Sequence, residues 1–158
     1  MYPPRPSFTL TEAIAKMEGY CAYQDRCHME VDRKLREMGM IPQAIDHIMV
    51  HLIKNDHLNE ERFASSFARG KFNIKKWGRN RIIQELKQRQ ISRFNIDRAL
   101  KELDPETYIN TFNDLAQKRF ESLREKDIQK KRKKLADYLL YRGWETPMVY
   151  EKVLELIK

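Results

Sequence analysis

A chain of 158 residues has room for one ordinary domain or a few small stacked units. Its 41% hydrophobic content supports a core, and its 34% charged content calls for a heavily charged surface. No apolar run reaches the roughly 18–20 residues of a membrane span, no signal-peptide core follows the proline-rich residues 1–6, and Cys21 and Cys27 alone make no disulfide framework, so a reducing cytoplasm is the expected compartment.

With only five Gly and six Pro, the chain has few helix breakers. Taken in order, Thr9 and Glu12 have the spacing of a capping box and open a first helix. Cys27, Val31 and Leu35 place an apolar residue at every fourth position. Gly39 follows where a helix C-terminus wants a left-handed residue, and Pro42 sits in the first turn of the next helix. Asn59, followed by Glu60 and Glu61, is an N-cap with acids in its first turn. On a helical wheel that starts near Ile74, Gly78, Ile82 and Leu86 are expected to form one buried stripe, with Gln90 at the turn and Ser92 as the next N-cap. Asp104-Pro105-Glu106 starts another helix. Leu135, Leu139 and Gly143 repeat the stripe and turn, and Thr146 is the expected N-cap ahead of Pro147.

These signals recur. The string Cys27, Val31, Leu35, Gly39, Met40, Ile45, Met49, Leu52 returns 51 residues later as Gly78, Ile82, Leu86, Gln90, Ile91, Ile96, Leu100, Leu103. It returns again after 53 more as Lys131, Leu135, Leu139, Gly143, Trp144, Val149, Val153, Leu156. Each copy reads as two helices with one apolar stripe apiece, joined by a tight turn and preceded by a further helix. The expected fold is all-α: three tandem three-helix repeats at residues 9–57, 58–103 and 104–158, stacked into an elongated, curved solenoid.

Positive charge is segregated. Between Arg69 and Arg93, nine basic residues face one acid, Glu85. Between Lys118 and Lys134, nine face three, so the rest of a chain of net charge +8 is acidic overall. Such clustering predicts a polyanionic partner. The candidate contacts are Arg69, Lys71, Lys75, Lys76, Arg79, Arg81 and Lys87, with Lys76, Arg79 and Lys87 on one helix face. Lys130, Lys131 and Arg132 form a second patch. Phe72 and Trp77 fit core packing better than base stacking, although stacking is open to them.

Catalytic signatures are missing. No P-loop or dinucleotide fingerprint is present. His47 and His51 stand at metal-ligand spacing, but no third ligand is evident, and a solvated or interface pair is the expected state. No catalytic residue, metal or cofactor is expected.

The segment Asn59-Glu-Glu-Arg62-Phe63-Ala64, then Ala68-Arg69-Gly70-Lys71-Phe72, Lys76-Trp77-Gly78, Arg81-Ile82 and Glu85-Leu86 resembles the core of RecX regulatory proteins. Upstream, Tyr20-Cys21-Ala22, Arg26, Glu30-Val31, Lys34-Leu35 and Gly39 extend the resemblance. The Lys-Trp-Gly form is most similar to members from Bacteroidetes-type bacteria. The resemblance implies tandem three-helix repeats in the bacterial cytoplasm. It also implies a protein, most simply a monomer, that binds the RecA recombinase filament in its groove on DNA and restrains recombination and ATP hydrolysis. The ATPase would be the partner's. The alternative is a single-strand-binding protein that merely competes for DNA.

Overall fold

The computed structural model describes residues 7–158, so the proline-rich residues 1–6 and the expectation about a signal core there lie outside the described residues. Among the described residues nine α-helices follow one another: α1 (Leu10–Tyr23), α2 (His28–Glu37), α3 (Pro42–Lys54), α4 (Glu60–Gly70), α5 (Arg79–Gln88), α6 (Arg93–Lys101), α7 (Pro105–Ser122), α8 (Ile128–Tyr141) and α9 (Thr146–Leu156). A π-helical turn, Lys71–Lys75, continues α4. No strand occurs among the described residues. Helices pack most densely within each successive set of three.

Most expected start signals are in place. Thr9 and Glu12 form a reciprocal capping box. The side chains of Asn59, Ser92 and Asp104 accept from the backbone N–H of Arg62, Asn95 and Thr107, each satisfying an N–H that the first turn leaves without a partner. Thr146 is not a cap. It is the first residue of α9, and Glu145 holds the N-cap position. In the third repeat α8 begins a turn earlier than its counterparts, capped by Asp127, so Lys131 lies inside the helix where Cys27 and Gly78 are N-caps.

The repeated stripe is the core. Val31, Leu35, Leu52, Ile82, Leu86, Leu135, Leu139, Trp144 and Val149 have no exposed surface. The three equivalent turns all take the left-handed conformation, with φ of +79° at Gly39, +60° at Gln90 and +89° at Gly143. Gln90 therefore carries a side chain where the backbone favours glycine. Ile74, four residues before Gly78, does not extend the stripe: it is 77% exposed. The π turn ends at Lys76, whose φ of +58° breaks the helix before α5 begins.

Two cores result. Ala13, Met17, Ile48 and their neighbours fill the first repeat, while the second and third share one continuous core, from Phe63 through Trp144 to Ile157. The joints differ in chemistry. Between the first and second repeats, Asp25 accepts from Arg62 (2.7 Å) and Ser66 (2.9 Å), and Glu60 accepts from the His28 backbone N–H (3.1 Å). Between the second and third, backbone meets backbone. The N–H groups of Gly78 and Asn80 donate to the carbonyls of Arg142 (2.8 Å) and Gly143 (2.9 Å). The open N-terminus of α5 thus satisfies the open C-terminus of α8. Trp144 donates its indole N–H to the Lys76 carbonyl (3.2 Å) and packs against Phe72, Tyr108 and Phe112.

Candidate polyanion-binding face

Lys76-Trp77-Gly78 and Arg142-Gly143-Trp144 are the two halves of that interlock, and it places the cations around it. Arg79, at the first position of α5, stacks its guanidinium 3.8 Å over the Tyr108 ring and pairs with Glu145 at 3.0 Å. The Tyr108 hydroxyl donates to Glu145 and accepts from the Arg79 backbone N–H. Burial, reinforced by the Glu145 carboxylate, pushes the Tyr108 phenol far above its ordinary range, so it stays a neutral donor. Arg79 is thereby a clasp between repeats before it is anything else.

A ladder of alternating cations and rings runs beside the clasp. Arg89 lies 4.8 Å over Phe67, and Lys71 lies 5.5 Å over Phe67 and 5.1 Å over Trp77. Arg81 stands 4.5 Å from both Trp77 and Tyr141 and donates to the Tyr141 carbonyl at 2.9 Å. Farther along α8, Tyr138 sits between Arg142 (3.7 Å) and Arg119 (4.8 Å), and Tyr138, Tyr141 and Arg119 line one shallow hollow. Tyr141 is 70% exposed. Such stacking holds planar cations at the surface with less loss of side-chain freedom on binding.

The expected contacts therefore divide. Arg69, Lys75, Lys76 and Lys87 are exposed and form no ion pair among the described residues. Lys71 and Arg81 belong to the ladder. Lys76, Arg79 and Lys87 do not share a helix face, because Lys76 precedes α5 in a left-handed turn. The Lys130–Arg132 patch separates as well. Lys130 is exposed, Lys131 lies 4.7 Å over Phe120, and Arg132 donates to the Ile157 carbonyl at 3.1 Å. Lys131 stands about 15 Å along α8 from Tyr141, at 1.5 Å per residue. Phe72 is core, as expected, and Trp77 packs half-buried against Phe67. Sequence reasoning missed Phe67, Tyr138, Tyr141, Arg89, Arg119 and Arg142 as parts of the face. Phe67 with Lys71, and Tyr138 with Arg142, had the i, i+4 spacing that could have found them.

Fold and face together define a tandem three-helix repeat protein whose surface chemistry suits a polyanion. Models of the second and third three-helix domains of RecX match residues 59–100 and 106–153. The chain belongs to the RecX family. It is 30% identical over 128 residues to the regulatory protein RecX of Pseudomonas entomophila, covering 81% of each chain. Against that of Limosilactobacillus reuteri it is 27% identical over 142 residues, 90% of this chain but 53% of the relative, and it spans 64% of the Clostridioides difficile relative at 26% identity. A crystal structure of regulatory protein RecX superposes with a TM-score of 0.81 at 26% identity, covering 92% of this chain and 73% of the other. That of RecX from Lactobacillus salivarius, at 24% identity and a TM-score of 0.78, covers 93% and 96% and shares the fold. The relatives are named regulatory proteins. Among the described residues no helix is long and apolar enough to cross a membrane.

Proposed function

We propose that this chain binds the RecA filament on DNA and restrains strand exchange and the coupled ATP hydrolysis, contributing no nucleotide chemistry of its own. The observation that carries the reading is the cation–aromatic face, which runs across two repeats that share a core. The exposed Arg69, Lys75, Lys76 and Lys87 would neutralise phosphates, each neutralisation releasing counterions. The stacked Lys71, Arg81 and Arg142 would present planar or fixed charge to acidic groups of protein or nucleic acid. Units at 9–57, 58–103 and 104–158 hold several weak contacts on one scaffold, so each acts at high effective concentration once another has bound. A monomer could then bridge adjacent subunits of a helical filament.

The test adds the purified chain, below the filament concentration, to RecA on single-stranded DNA with ATP. Strand exchange and ATP turnover should both fall, and the chain alone should hydrolyse no nucleotide above background. Binding to bare DNA with no effect on assembled filaments would defeat the reading in favour of simple competition for single strands.

A further inference from the structure

His51, which the sequence pairs with His47, has other partners. His47 is exposed. Glu18 on α1, His51 on α3 and His57 in the α3–α4 turn converge instead, with one ligand atom from each lying within 4.8 Å of the others. A single oxygen, Glu18 Oε1, is 2.7 Å from His51 Nε2 and 3.9 Å from His57 Nε2. The two rings are stacked, 18° from parallel with centroids 6.3 Å apart. We infer that Glu18, His51 and His57 form a binding site for a zinc-class divalent cation.

Two imidazoles and a carboxylate are the donor set that such ions prefer over calcium or magnesium. Metal–nitrogen and metal–oxygen bonds of about 2.0–2.2 Å put neighbouring donors of a tetrahedron about 3.3–3.6 Å apart. The two nitrogen–oxygen separations bracket that value, so small side-chain rotations bring both to it. The backbone already holds the donors. Asp56, at φ +58°, turns the chain back, and the His57 N–H donates to the Leu52 carbonyl at 2.9 Å. All three donors are only partly buried, so an ion can enter and a fourth position stays open to water. A bound ion would tie α1 and α3 to the turn that leads into the second repeat. Arg62, which also holds Asp25, reaches the His57 carbonyl at 3.4 Å.

The experiment titrates tag-free, full-length protein with Zn2+ against a chromophoric chelator, and with Co2+ to read coordination by absorbance. One equivalent should bind, with tetrahedral cobalt bands. His51→Ala and His57→Ala should each weaken binding at least tenfold and abolish the rise in melting temperature that Zn2+ gives the parent. Glu18→Gln should weaken it similarly. His47→Ala, one turn away on α3, should change nothing. His57→Asn replaces His57→Ala if the latter fails to fold by circular dichroism. Absence of saturable binding overturns the inference, as does binding that survives both His57 variants or is lost equally with His47→Ala.

Discussion

The same turn occurs three times in three steric settings, and this permits a worked prediction. A Cβ on Gly39 would meet nothing within 4 Å, whereas one on Gly143 would lie 2.2 Å from the Arg81 backbone nitrogen and 2.2 Å from its Cβ. Both glycines have positive φ, so alanine at either carries a left-handed strain of about 1–2 kcal/mol. Gly143→Ala must also push α5 off the α8 turn. Overpacking costs about 1–3 kcal/mol, and the two interlocking backbone hydrogen bonds are worth about 0.5–1.5 kcal/mol each if they open. The expected loss is roughly 3–8 kcal/mol for Gly143→Ala against about 1 kcal/mol for Gly39→Ala, where a stiffer unfolded chain returns part of the strain. Gln90→Gly, which relieves strain but adds unfolded-state freedom, should stabilise by roughly 0.5 kcal/mol. At about 2–4 °C per kcal/mol for a chain of this size, Gly143→Ala should lower the melting temperature by roughly 6–30 °C. Urea and thermal unfolding followed by circular dichroism, with fluorescence reporting on the buried Trp144, measure the three variants. Equal losses at Gly39 and Gly143 would refute the steric interlock.

Leu35→Ala, Leu86→Ala and Leu139→Ala should each cost about 2–5 kcal/mol in urea unfolding, as truncated core leucines do. Lys75→Glu with Lys76→Glu should weaken polyanion binding and flatten its log–log salt dependence, by about 0.7 for each single-strand phosphate no longer neutralised. The helical signal should stay unchanged, which Arg79 variants could not promise because they break the Glu145 clasp. Asp25→Asn should destabilise by less than about 1 kcal/mol, Arg62 being partly exposed. Burial works against the Asp25 carboxylate, but hydrogen bonds from Arg62 and Ser66 outweigh it and hold the carboxyl below its usual range. Its stabilisation is therefore present above the unfolded carboxyl pKa of about 3.9 and lost as pH falls through the lower folded value, so parent and variant stabilities should converge below about pH 4. Burial pushes the Cys27 thiol up to about 11 and also raises that of Cys21. Neither should react with a thiol reagent in native buffer, and both should react in urea.

What the sequence determined by itself was everything local or periodic. Capping at Thr9, Asn59, Ser92 and Asp104 depends on residues three apart, and the stripes of Leu35, Leu86 and Leu139 depend on the 3.6-residue period, so both are legible along the chain. Left-handed turns at Gly39 and Gly143 follow from glycine's freedom, and the segregation of charge follows from counting. Tertiary structure decided what each cation does. Arg79 and Arg81 lie in the same basic run as Lys75 and Lys76, yet Glu145 and Tyr108, or Tyr141, come to them from the third repeat across 29 to 66 residues of chain. Ile74 fits the stripe by spacing, but a π turn and the left-handed Lys76 rotate it out to solvent. Glu18 reaches His51 across 33 residues, beyond any motif spacing. Side-chain partnership between elements depends on how the helices pack, and period and propensity carry no record of it.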